Sequence, residues 1–306
     1  MQGPHQLLAT IRILIVIDKL EFLQKMAASA AIFCLAIIIY NKKMISIMLY
    51  IIIFVLGLIV GSFLNCVIYR LEKKESFLKG RSYCPKCHHQ LNWKDLVPIL
   101  SFIELGGKCR YCREKISWQY PLVELITGVL FIAVSHLAFP GFLLLVLYLL
   151  ISSFLIIIFV YDLKYYLIPD EVIFPAIIIS FLYQIFGNWK LEIGNLSPIL
   201  NPLFSALGAS LFFLTIFLVS RGKWLGFGDV KLGFLMGLFL SFPNILVALF
   251  FSFLTGAIIG LGLILSGKKS LKSEVPFGPF LVTGTFIALF FGEKIINWYF
   301  GLFLLK

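Results

Sequence analysis

Apolar runs separated by short polar breaks set the pattern of this chain. Eight of them, residues 45–68, 121–139, 141–161, 169–187, 202–220, 230–242, 244–266 and 277–300, recur from the first third to the end. A bilayer core takes about twenty apolar residues in helical form, so each run reads as a membrane-crossing helix. The sixth, 230–242, is short and reads as a broken or partly submerged helix. Backbone in lipid must satisfy its own hydrogen bonds, and long apolar runs do so as helices. The predicted class is therefore an all-α polytopic membrane protein with about eight spans. The longest polar stretch, 69–120, follows the first run and predicts a small loop domain. The chain divides into 1–43, a first span at 44–68, this loop at 69–120, and a membrane core at 121–306.

Composition agrees. Of the 306 residues, 60% are hydrophobic and 13% charged, with a mean hydropathy of +1.00, too apolar for a soluble domain to cover. The net charge of +11 would suit nucleic acid, but its placement argues otherwise and no nucleic-acid partner is expected. Eleven Lys and Arg fall in 69–120. Lys164, Arg221, Lys223, Lys268, Lys269 and Lys272 occupy loops that share its side if all eight runs cross. The opposite loops hold only Lys190. Basic loops stay cytoplasmic, which puts 69–120 inside and both ends of the eight-span core outside. No internal repeat, low-complexity tract or long linker interrupts the pattern. Residues 1–43 fit it poorly: the run 27–40 is short, and Lys42 and Lys43 would lie outside. They read as an extension upstream of Met44 or a loosely attached segment. A cleaved signal sequence is disfavoured, because no small-residue cleavage pattern precedes Met44.

The six cysteines do not form a secreted disulfide pattern. Cys34 and Cys66 lie in apolar runs. The other four are Cys84-Pro-Lys-Cys87 and Cys109-Arg-Tyr-Cys112, two C-x-x-C pairs whose intervening segment holds 21 residues. Each pair places two sulfurs on one tight turn, and the spacer lets the turns close a tetrahedral thiolate site for zinc. Four protein ligands leave no open position, so the metal would be structural. His88 and His89 read as solvent-facing neighbours or alternative ligands.

An acid at a membrane boundary is costly and is a functional candidate by default. Asp162 ends the third run in F-V-Y-D-L-K-Y-Y-L-I-P-D, Asp170 opens the fourth, and Asp229 opens the sixth in G-F-G-D-V-K-L-G. The charge topology puts all three near the cytoplasmic face. Asp162 and Asp229 are expected to meet across the bundle. Two close carboxylates do not easily ionise together; one keeps its proton while the other acts as a base, which suits attack of water on a peptide carbonyl. Gly226 and Gly228 would let backbone approach a substrate, and Lys231 would orient or balance the charge. Asp170, after Pro169 and before Glu171, reads first as a helix start and only second as a catalytic acid. Glu124 either faces a polar cleft or marks a helix start. Asp95 and Glu104 read as loop residues, Glu293 and Lys294 as a snorkelling or paired couple, and His136 as a packing residue.

These features, in this order, resemble the bifunctional type IV prepilin peptidases, the leader peptidase/N-methyltransferases. The likeness covers about residues 44 to 300. It rests on G-S-F-L-N-C-V-I-Y-R-L at 61–71, the paired cysteines, I-S-W-Q-Y-P-L-V-E-L-I-T-G at 116–128, D-x-x-x-x-x-I-P-D at 162–170, G-F-G-D-V-K-L-G at 226–233 and P-F-G-P-F-L at 276–281. The resemblance implies a multi-pass aspartic endopeptidase of the bacterial inner membrane. It implies cleavage of the basic leader of prepilins or pseudopilins after a glycine, on the cytoplasmic side. Methylation of the new terminal amine with S-adenosylmethionine would follow. Carried across, the catalytic pair is Asp162 and Asp229, and the zinc ligands are Cys84, Cys87, Cys109 and Cys112. No glycine-rich nucleotide fingerprint marks the methyl-donor site; Gly61, Asn65, Arg70 and Gly107 are its candidates. A signal-peptide-peptidase or presenilin-like protease is a competing reading, against which the cysteine loop and the I-P-D segment count. A proton- or ion-coupled transporter and a zinc-loop scaffold without chemistry are the others.

Overall fold

The computed structural model describes residues 44, 46–76, 80–138, 141–187, 197–267 and 275–304. The expectations for residues 1–43, with Cys34, Lys42 and Lys43, and those for Lys190, Lys268, Lys269 and Lys272 lie outside these. The chain forms two compact units, Met1–Ile52 and Ile53–Lys306. In the first, Met44 and residues 46–52 are described and are helical.

Helix α1 spans Ser46–Lys73. A short 3-10 turn at Trp93–Leu96 and helix α2 at Leu100–Glu104 lie in the polar loop. Then follow α3 (Gln119–Ala138), α4 (Phe142–Tyr165), α5 (Asp170–Gly187), α6 (Ser197–Ser220), α7 (Phe227–Leu240), α8 (Asn244–Leu265) and α9 (Gly278–Leu304). Helices therefore occupy all eight predicted segments. Six of them, α1, α3, α4, α6, α8 and α9, are long and apolar enough to cross a membrane. Helix α5 has 18 residues and carries Asp170 and Glu171 in its first turn. Helix α7 has 14 residues, about 21 Å at the helical rise.

Ten of the 14 residues of helix α7 are buried, and Phe227, Lys231 and Phe234, which share one face, stay partly open. Leu232, Leu235, Met236 and Leu238 are almost fully enclosed, and the first three share a core with Ile151, Leu155 and Ile158 of α4 and Ile173 of α5. Gly237 lets α6 approach closely; a Cβ there would fall 2.5 Å from Ala206 Cα. Gln184 of α5 donates from Nε2 to the carbonyls of Leu238 (2.6 Å) and Phe239 (3.3 Å), satisfying the end of α7 with a buried amide.

Helix α4 runs past Asp162 to Tyr165. Tyr166, at φ 57°, takes the left-handed conformation that closes a helix, and its N–H donates to Asp162 O at 2.9 Å. Asp162 thus sits in the last turn rather than at the end of the helix.

Candidate active site

Asp162 and Asp229, 67 positions apart in sequence, line one cavity of about 1150 Å³. The cavity gathers the end of α1, the last turn of α4, the start of α5, the loop Gly222–Gly226, the start of α7 and the entry to α9, all at one end of the bundle. The two carboxylates are 6% and 8% exposed.

Each carboxylate is held by a backbone amide. Gly278, the first residue of α9, donates its N–H to Asp162 Oδ2 at 2.9 Å. A Cβ at Gly278 would lie 2.6 Å from that oxygen, so only glycine lets the start of α9 approach the acid. The N-terminal dipole of α9 also favours negative charge there. Asp229 is the third residue of α7 and reaches back so that its Oδ2 accepts the Gly226 N–H at 3.2 Å. It therefore caps its own helix as well as facing the cavity. Gly228 seats the start of α7 on the I-P-D turn, since a Cβ there would lie 3.0 Å from Ile168 Cβ.

Lys231 and Asp170 line the same cavity as a pair. Lys231 Nζ lies 2.5 Å from Asp170 Oδ1 and 5.3 Å from the centres of both the Phe174 and Phe227 rings. Its ammonium holds Asp170 at the rim, and Asp170 itself begins α5 and is largely exposed.

The cysteine loop is built from two matching turns. His88 N–H donates to Cys84 O (2.9 Å) and Arg113 N–H to Cys109 O (3.0 Å). His88 and Arg113 adopt φ values of 56° and 60°, and each turn is closed by a single bridge, Tyr83 to Gln90 and Lys108 to Lys115. The turns bring the sulfurs of Cys84, Cys87, Cys109 and Cys112 within 4.8 Å of one another, with Cys84 and Cys112 3.9 Å apart. A tetrahedron of sulfurs about 2.3 Å from zinc has edges of about 3.8 Å, so the donor set and its spacing fit that metal. Burial opposes ionisation of Cys109, yet the N–H groups of Cys112 and Tyr111 bring its thiol down to about 7. The His88 ring stacks on Tyr83 and the His89 ring lies 3.7 Å from Tyr111, away from the sulfur cluster. Asp95 braces the loop. Burial opposes its charge, but the 2.7 Å bond from Arg110, the Asn92 N–H and the Tyr111 hydroxyl together hold its carboxyl below the usual range.

Residues 55–138 match the Bacterial Peptidase A24 N-terminal domain, and residues 149–261 match the Type IV leader peptidase family. A prepilin leader peptidase/N-methyltransferase of Aeromonas salmonicida is 30% identical over 81% of this chain and 92% of its own length. The chain belongs to the type IV leader peptidase family. Proteins of the same name from Bacillus subtilis and Legionella pneumophila are 33% and 31% identical, over 81% and 83% of this chain and 96% and 95% of theirs. No solved structure matches the chain. This leader peptidase is accordingly an enzyme of a bacterial, multi-pass membrane family.

The remaining candidates fall apart from the dyad. Glu124 is buried in α3 and accepts the Ile99 N–H at 2.8 Å, joining the loop to the bundle. It lines a second, smaller cavity together with Arg70. Arg70 donates to the carbonyls of Ser76 (3.1 Å) and Arg81 (3.0 Å). Asn65 donates to Gly61 O (3.3 Å) and Tyr120 O (3.1 Å) and accepts from Gln119 (3.3 Å), tying α1 to α3. Gly61 is a helix contact, where a Cβ would fall 2.7 Å from Glu124 Cα. Gly107, at φ 68°, turns the loop beside Phe102. The sequence reading missed Gly278 as a site residue. Its signal was a glycine between two bulky residues at a helix start, in P-F-G-P-F-L. It also missed the smaller cavity, whose aromatic walls come from separate segments.

Proposed function

We propose that this leader peptidase cuts the basic leader of a type IV prepilin or pseudopilin after a glycine at the cytoplasmic membrane face, with Asp162 and Asp229 as an aspartyl dyad, and then methylates the new terminal amine. The observation that carries this reading is the pairing of two buried carboxylates in one cavity, each steadied by a backbone amide. Prepilin leader peptidase/N-methyltransferases aligned over most of their length support the substrate class and both activities.

In the peptidase step the dyad shares one proton. The ionised carboxylate takes a proton from water while its oxygen bonds to the carbonyl carbon. The protonated partner donates to the carbonyl oxygen. Collapse breaks the C–N bond, and a proton passes to the leaving amine, so the dyad returns to its starting state. The Gly278 and Gly226 amides hold the two groups in place without themselves transferring a proton. Glu75, Asp170 and Glu171 give the cavity carboxylates suited to a basic leader, although Lys74, Lys223 and Lys231 temper that field. The apolar helix of the substrate would lie in lipid beside the bundle.

Cys84, Cys87, Cys109 and Cys112 would hold a structural zinc that fixes the loop. S-adenosylmethionine would supply the methyl group, which the amine nitrogen takes from sulfur as the C–S bond breaks and the amine loses a proton. The test is full-length protein in detergent with a prepilin, with and without S-adenosylmethionine, read by mass spectrometry. Leader loss in wild type, its absence in both Asp162→Ala and Asp229→Ala, and a methyl mass only with the donor are expected. Intact substrate with wild type, or full cleavage by both variants, overturns the dyad. Proton-coupled flux without cleavage would instead favour a transporter.

A further inference from the structure

Within the polar loop, residues 96–107 read L-V-P-I-L-S-F-I-E-L-G-G, with Glu104 as their one charge. We infer that this segment, with helix α2 at its centre, is seated in the bilayer boundary beside the start of α3, so that the loop grips the membrane instead of standing clear in water.

An apolar run of roughly 10 to 14 residues is too short to cross a bilayer and suits either a core helix or an interfacial segment. Burial separates the two. Leu100 and Ile103, one turn apart on α2, are 66% and 68% exposed, and no residue of α2 is buried. A core helix hides such side chains, whereas an interfacial helix presents them to lipid.

The neighbouring surface says what covers them. Trp118 is 70% exposed, and the Leu122 N–H donates to its carbonyl at 3.2 Å, so it stands in register with α3. It heads an exposed stripe on that helix, continued by Leu122, Leu125 and Val129 at helical spacing. Helix α3 is long and apolar enough to cross a membrane, and an exposed apolar stripe on a spanning helix faces lipid. The Phe102 ring of α2 packs on Trp118, centroids 5.0 Å apart. The Ile99 N–H, at the entry to α2, is fixed on Glu124 at 2.8 Å. Glu124 is the sixth residue of α3, about 7.5 Å along the helix from the first. The exposed face of α2 is thus continuous with the lipid-facing stripe, which makes lipid, and not a soluble protein, its occupant.

Polar groups at that depth must be satisfied by the protein or by headgroups. The N–H groups of Ile99, Ser101, Ile103, Leu105 and Gly107 all donate to acceptors in the chain. The Glu104 carboxylate lies 3.5 Å from Arg110. Among the described residues the Trp118 indole N–H meets no protein acceptor. An indole at a membrane boundary lays its ring against apolar chains and offers that N–H to headgroups.

The test replaces Leu100, Ile103, Val129 or Lys86 by p-benzoylphenylalanine in the full-length protein, held in vesicles of phosphatidylethanolamine and phosphatidylglycerol. After irradiation the adducts are weighed by mass spectrometry. All four side chains are exposed, and circular dichroism like that of wild type checks that the helices persist. Lipid adducts at Leu100 and Ile103 are expected at a yield comparable to lipid-facing Val129 and about tenfold above Lys86, on the first sulfur turn. Adducts between two copies of the chain, no lipid mass at either position of α2, or a yield at Lys86 equal to that at Ile103 overturns the assignment.

Discussion

Replacing Gly278 by alanine places a methyl group 2.6 Å from Asp162 Oδ2, closer than any real contact tolerates. The carboxylate or α9 must then shift. A displacement on the order of 1 Å at a reacting group costs about 100-fold in rate. Gly278→Ala is expected to lower kcat by about that factor while KM and helix content stay near wild type; an unchanged kcat would show that the amide does not position the acid. The acids themselves should separate cleanly. In the proposed mechanism Asp162→Asn and Asp229→Asn each remove a proton-transfer group, so cleavage is expected to fall by about a thousandfold or more. Asp170 is half exposed and paired with Lys231, an arrangement that contributes little to stability. Asp170→Asn is expected to keep cleavage within about threefold, and a loss comparable to Asp162→Asn would move Asp170 into the catalytic set. Asp162 and Asp229 were legible because charge is expensive in an apolar chain. Gly278 was hidden because its contribution is a backbone N–H, which no side-chain pattern records.

At the scale of elements, the cysteine turns and α7 carry the local logic. Each turn repeats the same backbone bonds, and together they bring four sulfurs to tetrahedral spacing. Cys84→Ser or chelation is expected to release zinc and expose the loop between residues 80 and 118 to protease, while the bundle helices stay resistant. Full zinc content in Cys84→Ser would reject the site. Asp95 adds a pH dependence of its own. Its carboxyl is held below the unfolded value, near 3.9, so its contribution is complete above that pH and is lost as pH falls through the lower, folded value. Protease resistance of the loop should thus retain an acid-sensitive component below about pH 4, absent from Asp95→Asn; identical profiles would exclude it. Helix α7 shows the limit of pattern reading. Its sequence predicts a span that is merely short, whereas ten of its 14 residues are buried within the protein.

For the whole molecule, among the described residues, the basic segments that carry Lys74 and Lys223 border the dyad cavity. A protease site inserted after Gly222, beside that cavity, is expected to be cut in inverted membrane vesicles and protected in intact spheroplasts. The reverse pattern would place the cavity on the outer face and contradict cytoplasmic cleavage. The hydrophobic rhythm alone determined the eight apolar helical segments and their order, because transfer free energy acts on local composition. Cysteine spacing determined a metal-fitting loop, because two tight turns need only a flexible spacer to meet. The meeting of α4 with α7, the entry of α9 beside Asp162, and the smaller cavity beside the cysteine loop were decided only in three dimensions. Each depends on helices packing at close range across long sequence separations, where the controlling atoms are backbone amides and absent side chains.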